Sequence, residues 1–153
     1  MNGPFDVSTI LLGAINRYQF YKSRNTAFAK VARRYYRIKH FIFSVITGSD
    51  IHPNATLGLG LRLPHPNGVV VHADAIIGDD CLIMQQVTIG QLADDDAPVI
   101  GARVYIGAGA KVLGRIKVGD KARVGANSVV LIDVPPGRTA VGVPAKVVPL
   151  KDS

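Results

Sequence analysis

Residues 99–130 read VIGARV, YIGAGA, KVLGRI, KVGDKA, RVGANS and VV, and this stretch decides the fold. The second place of every block is aliphatic: Ile100, Ile106, Val112, Val118, Val124 and Val130. Glycine often follows it, as in Ile106-Gly107 and Val124-Gly125, and a small or aliphatic residue stands four places on, at Val104, Ala110, Ala122 and Ser128. A period of six sustained over this length is a repeat architecture, whose physical reading is a parallel β-helix. Each hexapeptide supplies one short strand and one corner, and three make a triangular coil. The aliphatic residue fills the interior, and glycine or a small residue fits the tight corner.

The same period runs back through Ile89, Ile83, Ile77 and Val71, then Leu63, Leu57 and Ile51. Ala55, Ala75, Cys81 and Val87 are the small inward partners of this part. Two insertions interrupt it, one within Pro64-His65-Pro66-Asn67-Gly68 and one around Asp94-Asp95-Asp96. Loops that leave a rigid solenoid are favoured places for a site, although Asp94–Asp96 reads more simply as a solvated tip.

Two unlike segments meet near Gly48: a helical segment, 1–49, and the repeat domain with its tail, 50–153. The chain of 153 residues carries a net charge of +7, yet residues 50–153 hold ten basic and ten acidic residues and are neutral. The excess lies in Arg17, Lys22, Arg24, Lys30, Arg33, Arg34, Arg37 and Lys39, set against Asp6 alone. Aromatic residues divide likewise, with only Tyr105 beyond residue 50. Rings are missing where a narrow interior would have no room for them.

Residues 1–49 predict two amphipathic helices. Val7, Ile10, Leu11, Ala14, Ile15, Tyr18 and Tyr21 stripe the first, with Ser8 as N-cap. Phe28, Val31, Ala32, Tyr35, Ile38 and Ile42 stripe the second, with Asn25 as N-cap and His40 solvated among the basic residues. A basic amphipathic helix suits a membrane surface or an anionic partner. The simpler reading, and the preferred one, docks the stripe on the repeat and leaves the basic face wet.

Several classes of function are excluded or disfavoured. At 48% hydrophobic and 19% charged residues the chain is not a disordered tail. One cysteine excludes a disulfide framework and a Cys-rich zinc site. No recognition motif accompanies the positive charge, so nucleic acid is not the expected partner. Neither a spanning apolar run of about 18 residues nor a signal peptide is found, which makes the cytoplasm the expected location, with peripheral contact at the inner membrane left open.

The repeat resembles the left-handed β-helix of the hexapeptide-repeat acyltransferases. Asp50-Ile51-His52-Pro53, His65 with Gly68-Val69-Val70, Gln85 with Val87-Thr88-Ile89-Gly90, Ile106 through Lys111, and Gly142-Val143-Pro144-Ala145-Lys146 resemble the serine acetyltransferases. They resemble still more the shorter relatives in exopolysaccharide clusters. The resemblance implies a left-handed coil and a homotrimer with acetyl-CoA held between neighbouring subunits. It also implies an Asp–His pair at the spacing of Asp50 and His65, in which Asp50 fixes the imidazole tautomer.

Counting three hexapeptides per coil places His65, Gln85, Ala108 and Ala126 in one column at about 4.8 Å spacing. A base, an amide and two alanines would form a reactive end and a shallow track for a pantetheine arm, with Lys146 further along for CoA phosphates. Transfer of acetyl from a thioester to a hydroxyl needs a base and donors for the oxyanion. A histidine with a pKa near 6.5 suits the first task, so His65 is the candidate base. Gln85 reads equally as an active-site residue or a stacked structural amide.

His52 and His72 stand one coil apart and could stack. No third ligand is evident, so no metal is expected, and His72 is assigned to the substrate side or a trimer interface. Cys81 reads as core. Against the serine enzymes, Pro64 replaces the Asp before the active histidine, and Asp96-Ala97 replace Arg-His before Pro98. The helical part is also shorter than theirs. These departures favour a saccharide hydroxyl as acceptor, with serine as the alternative enzyme reading. A non-catalytic scaffold of a biosynthetic complex is the rival outside enzymes.

Overall fold

The computed structural model describes residues 7–93 and 96–148. Two helices come first, α1 (Val7–Lys22) and α2 (Ala27–Thr47). Ser8 lies within α1 and is buried. Thr26, not Asn25, caps α2: its backbone is extended and its Oγ1 accepts the Ala29 N–H at 3.1 Å. The helix ends at Gly48, whose φ of 64° is the left-handed cap that glycine takes without strain. That cap turns the chain straight into the first strand.

The repeat begins with β1 (Asp50–Ile51), β2 (Thr56–Leu57), β3 (Val70–Val71), β4 (Ile76–Ile77), β5 (Leu82–Ile83), β6 (Thr88–Gly90) and β7 (Val99–Ile100). It continues with β8 (Tyr105–Ile106), β9 (Lys111–Leu113), β10 (Lys117–Val118), β11 (Arg123–Val124) and β12 (Val129–Val130). It closes with an antiparallel pair, β13 (Thr139–Gly142) and β14 (Ala145–Val148). Strands two or three apart in the chain pair in parallel, giving, with the antiparallel β13-β14 pair at one edge, the orders β1-β3-β6-β9-β12, β2-β4-β7-β10 and β5-β8-β11-β13-β14. The result is the expected left-handed parallel solenoid of about four coils, preceded by two helices.

The inward pattern matches the six-residue period. From Ile51 to Val130 every aliphatic residue of the register is buried except Leu57, which is half-buried beside Leu12 and Asn16 of α1. Ala55, Ala75, Cys81, Val87, Val104, Ala110, Ala122 and Ser128 are buried as well. The Cys81 thiol donates to the Gly101 carbonyl at 3.1 Å, and burial pushes its pKa up, so it is a core residue.

Helix α1 closes the open end of the solenoid. Leu11 and Ile15 join the core that holds Ile51 and Ala55. Gln19 Nε2 donates to the carbonyls of Pro53 (3.0 Å) and Ala55 (2.8 Å), backbone groups that no preceding coil can satisfy. His40, expected in solvent, is half-buried, with Nε2 2.9 Å from the Ile51 carbonyl oxygen and 3.3 Å from Ser44 Oγ.

The second helix turns a different face inward from the one expected. Ala29 and Thr47 are buried and Ala32, Tyr36, His40 and Phe43 half-buried, whereas Phe28, Val31, Tyr35, Ile38 and Ile42 face solvent. Small Ala29 and Ala32 let α2 approach α1 closely, and Tyr36 stacks on Tyr21 with ring centroids 5.9 Å apart.

Candidate active site

The corner that follows the β5-β8-β11 face carries most of the predicted site residues. Its backbone ladder runs Gln86 N to Asn67 O (2.9 Å), Gly109 N to Gln85 O (2.9 Å) and Asn127 N to Ala108 O (2.8 Å). Gly68, Gln86, Gly109 and Asn127 all adopt positive φ there, marking the same turn on successive coils. The column is therefore Asn67, Gln85, Ala108 and Ala126, with Asn67 where His65 was counted.

The two-residue insertion explains the shift. Met84 and Gly107 donate their N–H groups to the next coil, to Ile106 O (3.0 Å) and Val124 O (2.9 Å). Pro64, one residue past the Leu63–Ile83 rung, has no N–H to give, so the regular ladder stops and the chain bulges outward. His65 rides on that bulge, exposed, and its ring makes no hydrogen bond or ion pair among the described residues.

Gln85 is half-buried, and its Oε1 is buried with no hydrogen-bond partner. Such an acceptor is costly unless something donates to it. Ala108 and Ala126 next along the column present only methyl groups. Among the described residues their N–H groups donate to no carbonyl, whereas those of Gly107, Gly109, Gly125 and Asn127 all do. Gly142 continues the column and pairs with Ala145, beside exposed Lys146.

Asp50 opens onto a second feature, a hollow of about 560 Å³ on the β1-β3-β6 face. His52, Val70, His72, Gly90 and Gln91 also line it. Register puts His52, His72 and Gly90 in one column, with the two histidines one coil apart. Each accepts a backbone N–H through Nδ1, from Asn54 at 3.1 Å and from Asp74 at 3.3 Å, which leaves the proton of the neutral ring on Nε2. Asp50 and His72 therefore share a hollow, while no hydrogen bond or ion pair joins Asp50 to His65 among the described residues. No group of three or more His, Cys, Asp or Glu among the described residues is placed to hold a metal ion.

Of the second insertion, Asp94 and Asp95 lie outside the described residues. Asp96 Oδ2 stands 3.4 Å from Arg115 Nε, and Ala97 and Pro98 are buried behind it.

Comparison with known proteins bears on this geometry. Residues 97–131 match the family described as bacterial transferase hexapeptide (six repeats). The serine acetyltransferase of Helicobacter pylori strain J99 is 48% identical over 122 residues, 76% of this chain and 71% of the relative. The chain belongs to the serine acetyltransferase family.

Two solved serine acetyltransferases carry the likeness into three dimensions. The soybean enzyme complexed with serine superposes with a TM-score of 0.80 at 38% identity, over 93% of this chain and 57% of that one. The Brucella abortus S19 enzyme in complex with coenzyme A gives 0.75 at 36% identity, over 89% and 54%. The chain spans about half the length of other serine acetyltransferases that it matches, 47% for those of Synechococcus elongatus and Mycobacterium tuberculosis.

These findings overturn two expectations. The relatives are serine acetyltransferases, so neither the likeness to exopolysaccharide-type enzymes nor the saccharide acceptor stands. The saccharide argument rested on Pro64, on Asp96-Ala97 and on the shorter helical part, and an Asp96 carboxylate facing a substrate carboxylate would repel it. In the structure Asp96 is not a bare charge, because the Arg115 guanidinium stands against it. A loop charge read without its partner has the wrong weight.

Proposed function

We propose that this chain transfers acetyl from acetyl-CoA to the hydroxyl of serine, as a homotrimer. The observation that supports the reading most is the 48% identity to the Helicobacter relative, which extends over three quarters of the chain. The corner geometry agrees with it. A pantetheine arm needs a narrow track without bulky side chains and with donors for its amide carbonyls, and Ala108 and Ala126 offer both. Gln85 Oε1 supplies an acceptor at the reactive end of that track. Lys146 brings a positive charge to the far end. On a single chain the track is a shallow corner, and a neighbouring subunit would give it a second wall.

Each role follows from the chemistry. His65 takes the serine hydroxyl proton as the oxygen attacks the thioester carbonyl, and returns it to the CoA sulfur as the C–S bond breaks. Its exposed ring makes no hydrogen bond among the described residues, which leaves a nitrogen free to meet the serine hydroxyl. Asp50 is the partner that the family spacing supplies to orient that ring. His72 faces the neighbouring hollow, on the substrate side.

Thiol release from acetyl-CoA, followed with and without L-serine, tests the reading. Serine-dependent release that falls to background in His65→Ala is the expected result. Tight binding of acetyl-CoA with no serine-dependent release would overturn it.

A further inference from the structure

We propose that α2 lies along an anionic lipid surface. The helix has three faces, of which only one is used in the fold. Ala29, Ala32, Tyr36, His40, Phe43 and Thr47 turn inward. A second stripe, Phe28, Val31, Tyr35, Ile38, Ile42 and Val45, repeats at steps of three and four and faces outward, with exposures from 47% at Ile42 to 72% at Phe28. At about 1.5 Å per residue it is roughly 26 Å long. Exposed Phe41 and Ile46 widen it.

The third face is basic. Lys30, Arg33, Arg34 and Arg37 lie beside the apolar stripe and, with Tyr18, line a shallow hollow of about 610 Å³. Neither helix contains a carboxylate, and no ion pair engages these four side chains among the described residues. The stripe is thus apolar and its flank carries uncompensated positive charge.

Charge complementarity decides what covers such a face. A second copy of the helix would bring the same positive flank and no carboxylate, so pairing would gather like charges around the apolar seam. An anionic bilayer supplies negative headgroups for the arginines and an acyl boundary for Phe28, Ile38 and Ile42. The contact is in-plane, since no helix among the described residues is long and apolar enough to cross a membrane. Because the bare stripe lies on the side of α2 away from His40, which meets the Ile51 carbonyl of the first coil, the solenoid itself need not touch the lipid. The proposal does not depend on the acceptor of the acetyl group.

Co-sedimentation of the full chain with vesicles tests it, using phosphatidylcholine alone and phosphatidylcholine mixed with phosphatidylglycerol. Binding to the anionic vesicles at least about tenfold tighter, and lost in high salt, is expected. Arg33→Glu/Arg34→Glu/Arg37→Glu should weaken it at least about tenfold. Ile38→Ser/Ile42→Ser should also weaken it while leaving thiol release unchanged, which shows that the variant is folded. Equal binding to both vesicles, or binding to neither, overturns the proposal. So does a fall in the particle mass of the lipid-free protein on Ile38→Ser/Ile42→Ser, because the face would then belong to another copy.

Discussion

Replacing Gly107 by alanine should loosen the solenoid at the proposed CoA track. A Cβ built on Gly107 falls 2.6 Å from Ala126 N and 3.0 Å from Ala126 Cα. Both are backbone atoms of the next coil, so no side chain can swing aside. Ordinary carbon contacts lie at about 3.5–4.0 Å. Restoring one requires the coils to part by about 0.9 Å, roughly a fifth of their 4.8 Å spacing. The Gly107 N–H bond to the Val124 carbonyl, now 2.9 Å, would then stretch to about 3.8 Å, beyond hydrogen-bond range. Overpacking of this kind costs about 1–3 kcal/mol.

Urea unfolding measures that cost, and at about 1–3 kcal/mol per molar the midpoint should fall by roughly 1 M. The KM for acetyl-CoA should rise as Ala108 and Ala126 move apart. Gly13 is the control: it is helical, exposed and has nothing within 4 Å of its added Cβ. Gly13→Ala should therefore stabilise by about 0.5–1 kcal/mol. Gly107→Ala unfolding at the wild-type urea concentration would refute the claim that coil spacing is set by that close approach.

Two further outcomes follow from the same structure. His65→Ala should lower kcat for serine-dependent thiol release by about 10²–10⁴-fold with little change in the KM for acetyl-CoA, because the ring holds no structural bond. A comparable loss of thermal stability would instead mark the histidine as structural. Burial raises the Cys81 pKa, so its contribution to stability is complete below the unfolded thiol value of about 8.5 and declines as pH rises above it. Unfolding curves from pH 7 to 10 should show that decline flattened in Cys81→Ala, and parallel curves for the two proteins would count against it.

The six-residue period was legible because each inward residue reports directly on burial. Ile89 and Val112 occupy the same register place on successive coils, and nothing outside the repeat decides which way they point. The lengths of the insertions were legible too, but not where within the first one the register is lost. Counting forward from Leu63 assigns His65 to the column. The ladder restarts at Asn67, because Pro64 cannot donate and the extra pair bulges before the turn.

The helices were less readable. Two stripes compete on α2, one large and aliphatic, the other built from alanines, Tyr36, His40 and Thr47. Hydrophobicity favours the first, while close approach to α1 and the stacking of Tyr21 on Tyr36 favour the second. The basic residues misled differently: His40 sits among them in sequence yet turns to the Ile51 carbonyl of the first coil.

By itself the sequence determined the solenoid, its inward residues, the two loops and the confinement of positive charge to the helices, because these depend on local period and composition. Only the tertiary structure decided which face of α2 is left bare, which residue stacks under Gln85 and whether Asp96 stands without a counter-charge. Each of those depends on a neighbour distant in the chain, and a backbone donor or guanidinium contributed from another coil carries no mark in the segment it completes.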